Sequence, residues 1–385
     1  MKKAIVYIIS FCILWGCKEK FNAKIISPPT GYLVVEGFIS SGANATKISL
    51  TRTVKLYDVV NTVYEHGAVI NIESETNELF PLNETADSVY TSGNLALDNT
   101  KKYRLHIITR DSKVYVSDFA TFKTTPVIDS VSWARENGGV KIYVNTHDLL
   151  NSTKYYKWDY EETWEFHSPY YNSLVYQYDA TGIPIAVGFK FPDHSIDTTI
   201  HKCWNTVGST NINIGSSEKL SQNIIQSPLT YIEPSSVKLS VLYSINVHQY
   251  SVSHEAYIFF QNIKKNTENL GSIFDAQPTE LQGNIHCVSD PSEIVIGYID
   301  ISEETTKRIF ISNDEVPGWG YGTKCAVVIV DNQRDSILRN GVGLWPTIPF
   351  SLFPLGGVKQ FYATGERSCV DCTVNGSSQR PIFWP

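Results

Sequence analysis

Residues 155–166 read Y-Y-K-W-D-Y-E-E-T-W-E-F, and this alternation is the strongest constraint that the sequence places on its fold. Alternate side chains of a β-strand share one face, so the segment predicts a long strand with an aromatic face and a charged face. Glu162 interrupts the aromatic face, where a carboxylate is either hydrogen-bonded or lies where the sheet opens to solvent. The aromatic face comprises Tyr156, Trp158, Tyr160, Trp164 and Phe166, and the other face Lys157, Asp159, Glu161, Thr163 and Glu165.

The rest of the sequence predicts a mainly β fold of two sandwiches. The chain has 22 Tyr and 8 Trp but 1 Met, a usage that suits pleated, half-buried surfaces and is uncommon in helix bundles. Five strand patterns without a helical pattern between them predict an N-terminal immunoglobulin-like β-sandwich at 31–125. A seam follows at Pro126, because proline interrupts strand pairing. The five strands are expected at 32–39, 47–56, 68–73, 102–108 and 113–122.

A second immunoglobulin- or fibronectin-like sandwich is predicted at 126–313. It opens with a hairpin, since Asn137 and Gly138 accept the positive φ that tight turns require. The pattern loosens into a long insertion with a few short strands at 168–236, and one prominent helix is expected at 253–270. Its other strands are expected at 129–134, 140–145, 155–166, 237–250, 293–301 and 306–312, and an irregular C-terminal region at 314–385 holds one further strand at 325–330.

The N-terminus carries an export signal. Two lysines precede an uncharged apolar run at 4–15, which is too short to span a bilayer and is typical of a secretory signal peptide at 1–16. Gly16 before Cys17 resembles a bacterial lipobox, which implies a lipid on Cys17 and a lipidated tether at 17–30. The alternative is an ordinary signal peptide with an incidental cysteine.

Export also sets the expected chemistry of the five remaining cysteines, because disulfides persist in an oxidising compartment. The C-V-D-C at 369–372 lacks the companion ligands of a zinc site and the helical setting of a redox dithiol. We therefore predict a structural disulfide, either between Cys369 and Cys372 or from one of them to Cys325. The longer connection is favoured, because a larger loop restricts the unfolded chain more. With Cys203 and Cys287 the total is odd, so at least one thiol stays unpaired.

The sequence gives little support for catalysis. It contains no nucleophile elbow, zinc helix, phosphate loop or EF-hand loop. Asp193, His194, Asp197 and His201 carry ligand types that suit a divalent ion, but polar loop residues are commonly just solvated. The carboxylates within 159–165 are more simply explained by an exposed strand face than by an acid and base pair. We predict no catalytic residue, metal or cofactor, and the net charge of −7 without a basic run argues against a nucleic-acid partner.

Aromatic residues of the irregular regions are the candidate binding residues. Tyr and Trp offer rigid, amphipathic contact area at low entropic cost, which explains their frequency at interfaces. The alternative for each is that it holds a long loop against the core. The candidates are Tyr170, Tyr171, Trp204, Trp319, Tyr321 and Trp345.

Three segments together carry a family resemblance. They are the run Q-Y-S-V-S-H-E-A-Y-I-F-F-Q-N-I-K-K-N at 249–266 with its continuation to residue 285, E-I-V-I-G-Y-I at 293–299, and C-V-D-C with the final P-I-F-W. With the lipobox, they resemble the Bacteroidota lipoproteins of domain of unknown function 4249. The resemblance implies a lipid-anchored outer-membrane protein, expected at the cell surface and associated with a TonB-dependent β-barrel transporter, and it implies no known catalytic residues.

The expected function is therefore a non-enzymatic accessory or substrate-capturing subunit of such a transport system, with cargo of unknown identity. A structural envelope or assembly-machine lipoprotein is the first alternative. A metal-dependent hydrolase built on the insertion is the second.

Overall fold

The computed structural model describes residues 31–41, 45–55, 62–268, 283–341, 347–352 and 359–385. It confirms a mainly β fold with sandwich-like sheets. The first nine strands are β1 Leu33–Ser40, β2 Ala45–Arg52, β3 Val63–Tyr64, β4 Val69–Ser74, β5 Leu79–Glu84, β6 Val89–Asn94, β7 Lys102–Ile108, β8 Val114–Ser117 and β9 Ala120–Thr121.

These nine strands form most of the first sandwich. Their hydrogen-bonded path runs β8-β7-β4-β5-β6-β2-β1, so the two ends of the path face each other across one core. Every second residue points inward, as strand geometry requires. The core includes Leu33, Val35, Ile48, Leu50, Ile70, Ile72, Tyr90, Tyr103, Leu105 and Ile107, all at most 1% exposed.

The next elements build the second sandwich and a separate hairpin. They are β10 Ile128–Glu136, β11 Gly139–His147, β12 Tyr155–His167, β13 Leu174–Tyr178, β14 Pro184–Phe189, β15 Lys202–Gly208, β16 Asn213–Ser216, β17 Ile224–Ile232, β18 Leu242–Ser251 and helix α1 His254–Glu268. The last strands are β19 Ile285–Cys287, β20 Val295–Gly297, β21 Ile301–Ser302, β22 Glu304–Ser312, β23 Val327–Asp331, β24 Ile348–Leu352 and β25 Gln360–Thr364. Short helical turns lie at Ala86–Ser88, Val237–Leu239, Asn313–Glu315, Arg334–Ser336, Ile337–Gly341, Arg367–Cys369 and Cys372–Val374.

The second sandwich packs the sheet β10-β11-β17 against the sheet β15-β12-β18-β22. The β10–β11 turn is the predicted hairpin, with positive φ at Asn137 and Gly138. The region 168–236 is only partly an insertion, because β15 and β16 pair with β12 and β17 pairs with β11. The few short strands expected in this region are present, but their pairing with β11 and β12 was not predicted.

The boundary between the sandwiches differs from the predicted one. Strands β20 and β21 pair in parallel with β1, and β19 pairs with β8, so residues 285–302 complete the first sandwich although the prediction grouped them with 126–313. A single cut at residue 125 therefore does not describe the chain. Helix α1 begins at the junction, where the Ser253 side chain accepts a hydrogen bond from the Ala256 N–H (3.2 Å) and Asp300 accepts one from the Ser253 N–H (2.7 Å).

The C-terminal region is more regular than predicted. Strands β23, β25 and β24 form a small sheet that shares a core with the β13–β14 hairpin. Residues 365–385 then cross back to the second sandwich, where Trp204 and Ser377 exchange backbone hydrogen bonds of 2.8 Å. A third packed unit therefore joins a segment of the predicted insertion to the predicted irregular region.

Candidate functional site

A cleft of about 780 Å³ opens between the two sandwiches. Its floor is the outer face of β12 and β18, one wall is the outer face of β1 and β2, and α1 covers the third side. Close packing at this wall requires glycine: a Cβ at Gly297 would lie 2.3 Å from the Val35 carbonyl oxygen. The lining includes Val34, Glu36, Phe38, Lys47, Lys157, Asp159, Glu161, His248, Tyr250, Phe259, Phe260, Ile263, Tyr298 and Glu304.

Aromatic rings from all three sides meet at the base of the cleft. Phe38 of β1 stacks on Tyr250 of β18 with ring centroids 4.5 Å apart, and Phe260 of α1 lies 6.3 Å from Phe38. The Lys157 ammonium lies 5.2 to 5.9 Å from these three ring centroids, within the range of cation–π attraction. It also bonds the Asp159 carboxylate at 2.6 Å. The site is thus apolar at its base and charged just above it.

The charged floor holds more carboxylates than cations. His248 Nδ1 contacts the Glu304 carboxylate, whose side chain is 9% exposed. Glu161 and Glu36 are exposed and have no ion-pair partner within the described part of the chain. Burial, reinforced by nearby Glu304 and Asp159, raises the pKa of the Tyr250 hydroxyl far above its usual range, so the phenol stays protonated.

One buried polar group at the cleft is unsatisfied. Ser40 is 3% exposed and lines the cleft, and its hydroxyl has no hydrogen-bond partner among the residues that the structure describes. Its backbone is well held, because the Ser40 N–H donates to the Thr46 hydroxyl at 2.9 Å. A buried hydroxyl without a partner is costly unless something else satisfies it, so Ser40 offers a polar contact to a bound molecule.

None of the five predicted binding aromatics that the structure describes lines this cleft. Trp204 and Trp319 are buried, and the Trp319 indole donates to the Ser236 carbonyl at 2.7 Å. Tyr170 stacks on Phe350 at 4.6 Å, which holds a loop to the small C-terminal sheet. Tyr171 and Tyr321 are exposed, at 46% and 37%. Trp345 lies outside the described residues.

The aromatic residues of the cleft come from regular elements, whereas the candidate binding residues all lie in segments that were predicted to be irregular. Tyr257, Phe260 and Ile263 recur at helical spacing within the predicted helix, and this periodicity was the available signal for Phe260. Phe38 and Tyr250 sit near the ends of β1 and β18 and look like ordinary strand residues in the sequence.

Some carboxylates of β12 are buried and others are exposed. Glu162 is 4% exposed and accepts hydrogen bonds from the Lys238 ammonium (2.6 Å) and the Tyr243 hydroxyl (2.8 Å), so the hydrogen-bonded alternative is correct. Glu165 is 5% exposed, although an exposed face was predicted. The Trp384 indole donates to it at 3.0 Å, because the end of the chain folds over this part of the strand.

The four residues considered as metal ligands are engaged separately. Asp197 pairs with Lys190, His194 stacks on Phe189 at 3.7 Å, and the His201 ring lies 3.7 Å from that of Tyr171. Asp193 accepts a hydrogen bond from the Ser195 N–H at 3.1 Å. Within the described ranges, no group of three or more His, Cys, Asp or Glu side chains is arranged to hold a metal ion.

Two disulfides fix the C-terminal segment. Cys325 is bonded to Cys369, and Cys203 to Cys372, across sequence separations of 44 and 169. The sequence left the partner of Cys325 open between two positions and did not pair Cys203 with either. Cys287 is a free, buried thiol. The two cysteines of C-V-D-C therefore belong to two different disulfide bonds.

The proposed lipidation site, Cys17, lies outside the described residues. Among the helices that the structure describes, none has the length and apolarity needed to cross a membrane.

Comparison with known proteins confirms the family resemblance. A family model described as Domain of unknown function (DUF4249) matches residues 18–308. No curated protein matches the chain. One similar solved structure is titled "Complete structure of manganese lipoxygenase of Gaeumannomyces graminis and partial structure of zonadhesin of Komagataella pastoris", with a TM-score of 0.18 and 9% identity, covering 60% of this chain and 91% of that chain. A TM-score this low carries no argument.

Proposed function

The chain belongs to the family described as Domain of unknown function (DUF4249), and from this premise we propose that it is a lipid-anchored, non-enzymatic subunit of an outer-membrane transport system. In this proposal a lipid on Cys17 holds the protein at the outer membrane, facing the cell surface. The protein captures cargo and delivers it to a TonB-dependent β-barrel transporter. The order of basic residues, apolar run and Gly16-Cys17 supports the anchor.

The cleft between the sandwiches is the observation that carries the capture role. Its volume of about 780 Å³ lies within the range of small-molecule sites. Rings at the base favour an apolar body, while Ser40, Glu161 and Glu36 offer polar contacts at the sides. The cargo class that fits is a small amphipathic molecule or a short peptide segment.

Co-purification tests the partner. The acylated full chain is extracted in mild detergent, and a β-barrel receptor is expected to elute with it. A native protein that runs alone contradicts the transporter proposal.

Native mass spectrometry of the same preparation tests the capture role. The wild-type chain is expected to retain a small molecule that Phe260→Ala loses, while Phe383→Ala, whose ring does not line the cleft, keeps it. A barrel that co-purifies without any cargo would instead favour a structural or assembly role.

A further inference from the structure

Two adjacent leucines are almost fully exposed at the turn between β11 and β12. Leu149 is 89% exposed and Leu150 is 86% exposed. Large apolar side chains are rarely presented this fully in pairs, because each costs free energy in contact with water. The turn contributes no side chain to either sandwich core, so packing does not explain the two leucines.

The turn is built rigidly around Asp148. One carboxylate oxygen accepts a hydrogen bond from the Leu150 N–H (2.9 Å), and the other accepts bonds from the N–H groups of Ser152 (2.8 Å) and Thr153 (2.7 Å). Asn151 adopts a left-handed conformation with φ of 53°. The leucines are therefore held outward by the backbone and cannot easily fold back onto the protein.

Further apolar side chains surround the base of the turn. His147 pairs with Ile224 across the sheet, and the Asp148 N–H donates to the Asn223 carbonyl at 3.0 Å, which places Ile224 beside the turn. The 216–220 turn is joined to it by a 2.9 Å bond from the Ser217 N–H to the Lys154 carbonyl. Val127 adjoins the end of β11, where the Thr146 hydroxyl donates to its carbonyl at 3.1 Å. The exposed apolar residues around the turn are Leu149, Leu150, Leu220 (51%), Ile224 (59%) and Val127 (68%).

We propose that Leu149 and Leu150 insert into the headgroup boundary of the bilayer that carries the lipid anchor, so that the protein touches the membrane at a second point. The inference rests on the proposed anchor at Cys17. A protruding pair of leucines suits the soft lipid boundary better than a flat protein interface, which needs about 800 Å² on each partner.

The geometry allows the turn to reach the membrane. An extended tether at 17–30 spans roughly 45–50 Å. Strand β1 carries the chain only about 26 Å from the start of the first sandwich to the junction. The turn ends at this junction, where the Ser251 hydroxyl donates to the Thr153 hydroxyl at 3.3 Å. Lys154 and Lys219 flank the patch together with Glu218, so the contact is mainly apolar and is expected to depend little on salt.

Lipid quenching of a site-specific fluorophore tests the proposal. The full acylated chain carries Leu149→Cys labelled with an environment-sensitive dye, in vesicles of phosphatidylethanolamine and phosphatidylglycerol that contain spin-labelled lipid. Labelling is selective in the acylated chain, because Cys12 is removed with the signal peptide, Cys17 carries the lipid, four cysteines are in disulfides and Cys287 is buried. Ile382→Cys is the matched control: it is 106% exposed and lies near Trp384, at the opposite end of β12.

Quenching at position 149 is expected to exceed that at 382 several-fold, and an added Leu150→Ser is expected to reduce it. Equal quenching at both positions overturns the proposal. The proposal is also overturned if the dye at position 149 is protected from aqueous iodide in native membranes but is not quenched by spin-labelled lipid. That result indicates that a protein partner covers the turn. Mass spectrometry of Cys17 reports the anchor separately. If Cys17 is not acylated, the same contrast is measured with saturating vesicles on chains that also carry Cys12→Ser and Cys17→Ser, and it decides the insertion alone.

Discussion

The two halves of the outer face of β12 have the same alternating sequence and opposite environments. In the first half, Lys157, Asp159 and Glu161 face the cleft and stay accessible. In the second half, Glu165 is sealed beneath Trp384, which lies between Trp204 and Phe310 at ring distances of 6.5 and 5.5 Å. Alternation fixes which side chains share a face, but the segments that cover the face decide whether it can bind anything.

The cover over the second half depends on a segment that is bound covalently at two points. Both disulfides attach residues 369–372, one to β15 and one to the start of the small C-terminal sheet. From there only a short stretch leads to Trp384. The sealed half, around Glu165, is therefore covered because cysteine pairing holds the C-terminal segment in place. The open half, with Lys157, Asp159 and Glu161, faces the cleft because no described segment packs across it.

Removing the Cys203 to Cys372 bond is expected to have the largest effect. Cys203→Ala with Cys372→Ala should lower the free energy of unfolding by about 4 kcal/mol, because the bond closes a loop of sequence separation 169. Urea unfolding measures the change. The Cys325–Cys369 bond closes a shorter loop, so Cys325→Ala with Cys369→Ala should lower the free energy of unfolding by less. An equal or larger decrease for this second pair would contradict the loop-length argument.

Trp384→Ala should open the sealed half directly. We expect a loss of about 3 kcal/mol from the removed ring contacts, together with exposure of Glu165. Urea unfolding gives the loss, and protease digestion of residues after Cys372 reports the released tail. Phe383→Ala is the control: that ring is 41% exposed, and Arg308 lies 3.6 Å from its centre, so a smaller loss is expected. Equal losses would mean that the tail is not anchored by Trp384.

Periodicity predicted most of the strands and the helix because these depend on local sequence. It correctly placed the aromatic face of β12 and the turn at Asn137 and Gly138. A few short strands were expected within 168–236, but their pairing with β11 and β12 was not, since that pairing is set by distant sequence. The return of residues 285–302 to the first sandwich is likewise a long-range event that no local pattern encodes.

The candidate site was harder to predict, because it is assembled from three elements far apart in sequence. Phe38, Tyr250 and Phe260 meet only after both sandwiches have formed. The sequence instead favoured tryptophans such as Trp204 and Trp319, which are buried, the first beside the C-terminal Trp384 and the second in the core of the second sandwich. The residue types in the sequence show which side chains are able to bind a ligand, but only the fold shows which of them a ligand can reach.

The acid stability of the sealed half is expected to depend on Glu165. Burial alone would raise the pKa of its carboxyl, but hydrogen bonds from Lys202, His167 and Trp384 outweigh burial and lower it. Because the folded pKa is depressed, this stabilisation is present above the ordinary pKa of about 4.5 and is lost as the pH falls through the folded value. Glu165→Gln should therefore cost about 1 kcal/mol at neutral pH and nothing in strong acid.

Urea unfolding across the acid range measures this difference. Glu161→Gln is the matched control, on the same face of the same strand but in the open half, where the side chain is exposed, so it should change the free energy of unfolding less. A similar change in both variants would remove the distinction between the halves.

The smallest effect on stability is expected in the open half. Lys157→Met keeps the apolar stem against Phe38 and Phe260 and removes the ion pair and the cation–π contacts, so the loss should be about 0.5 kcal/mol. Retention of bound cargo should nevertheless fall, because the charge next to the rings is gone.

Lys190→Met is the control for this variant. Lys190 also pairs with a carboxylate, Asp197, and lies 5.9 Å from a ring, that of Phe191, but it is outside the cleft. The two variants should match in urea unfolding and differ in native mass spectrometry of the purified chain. If Lys157→Met destabilises the fold by several kcal/mol while cargo retention is unchanged, its ring cluster is a structural joint between the sandwiches and the open half of β12 is not the binding surface.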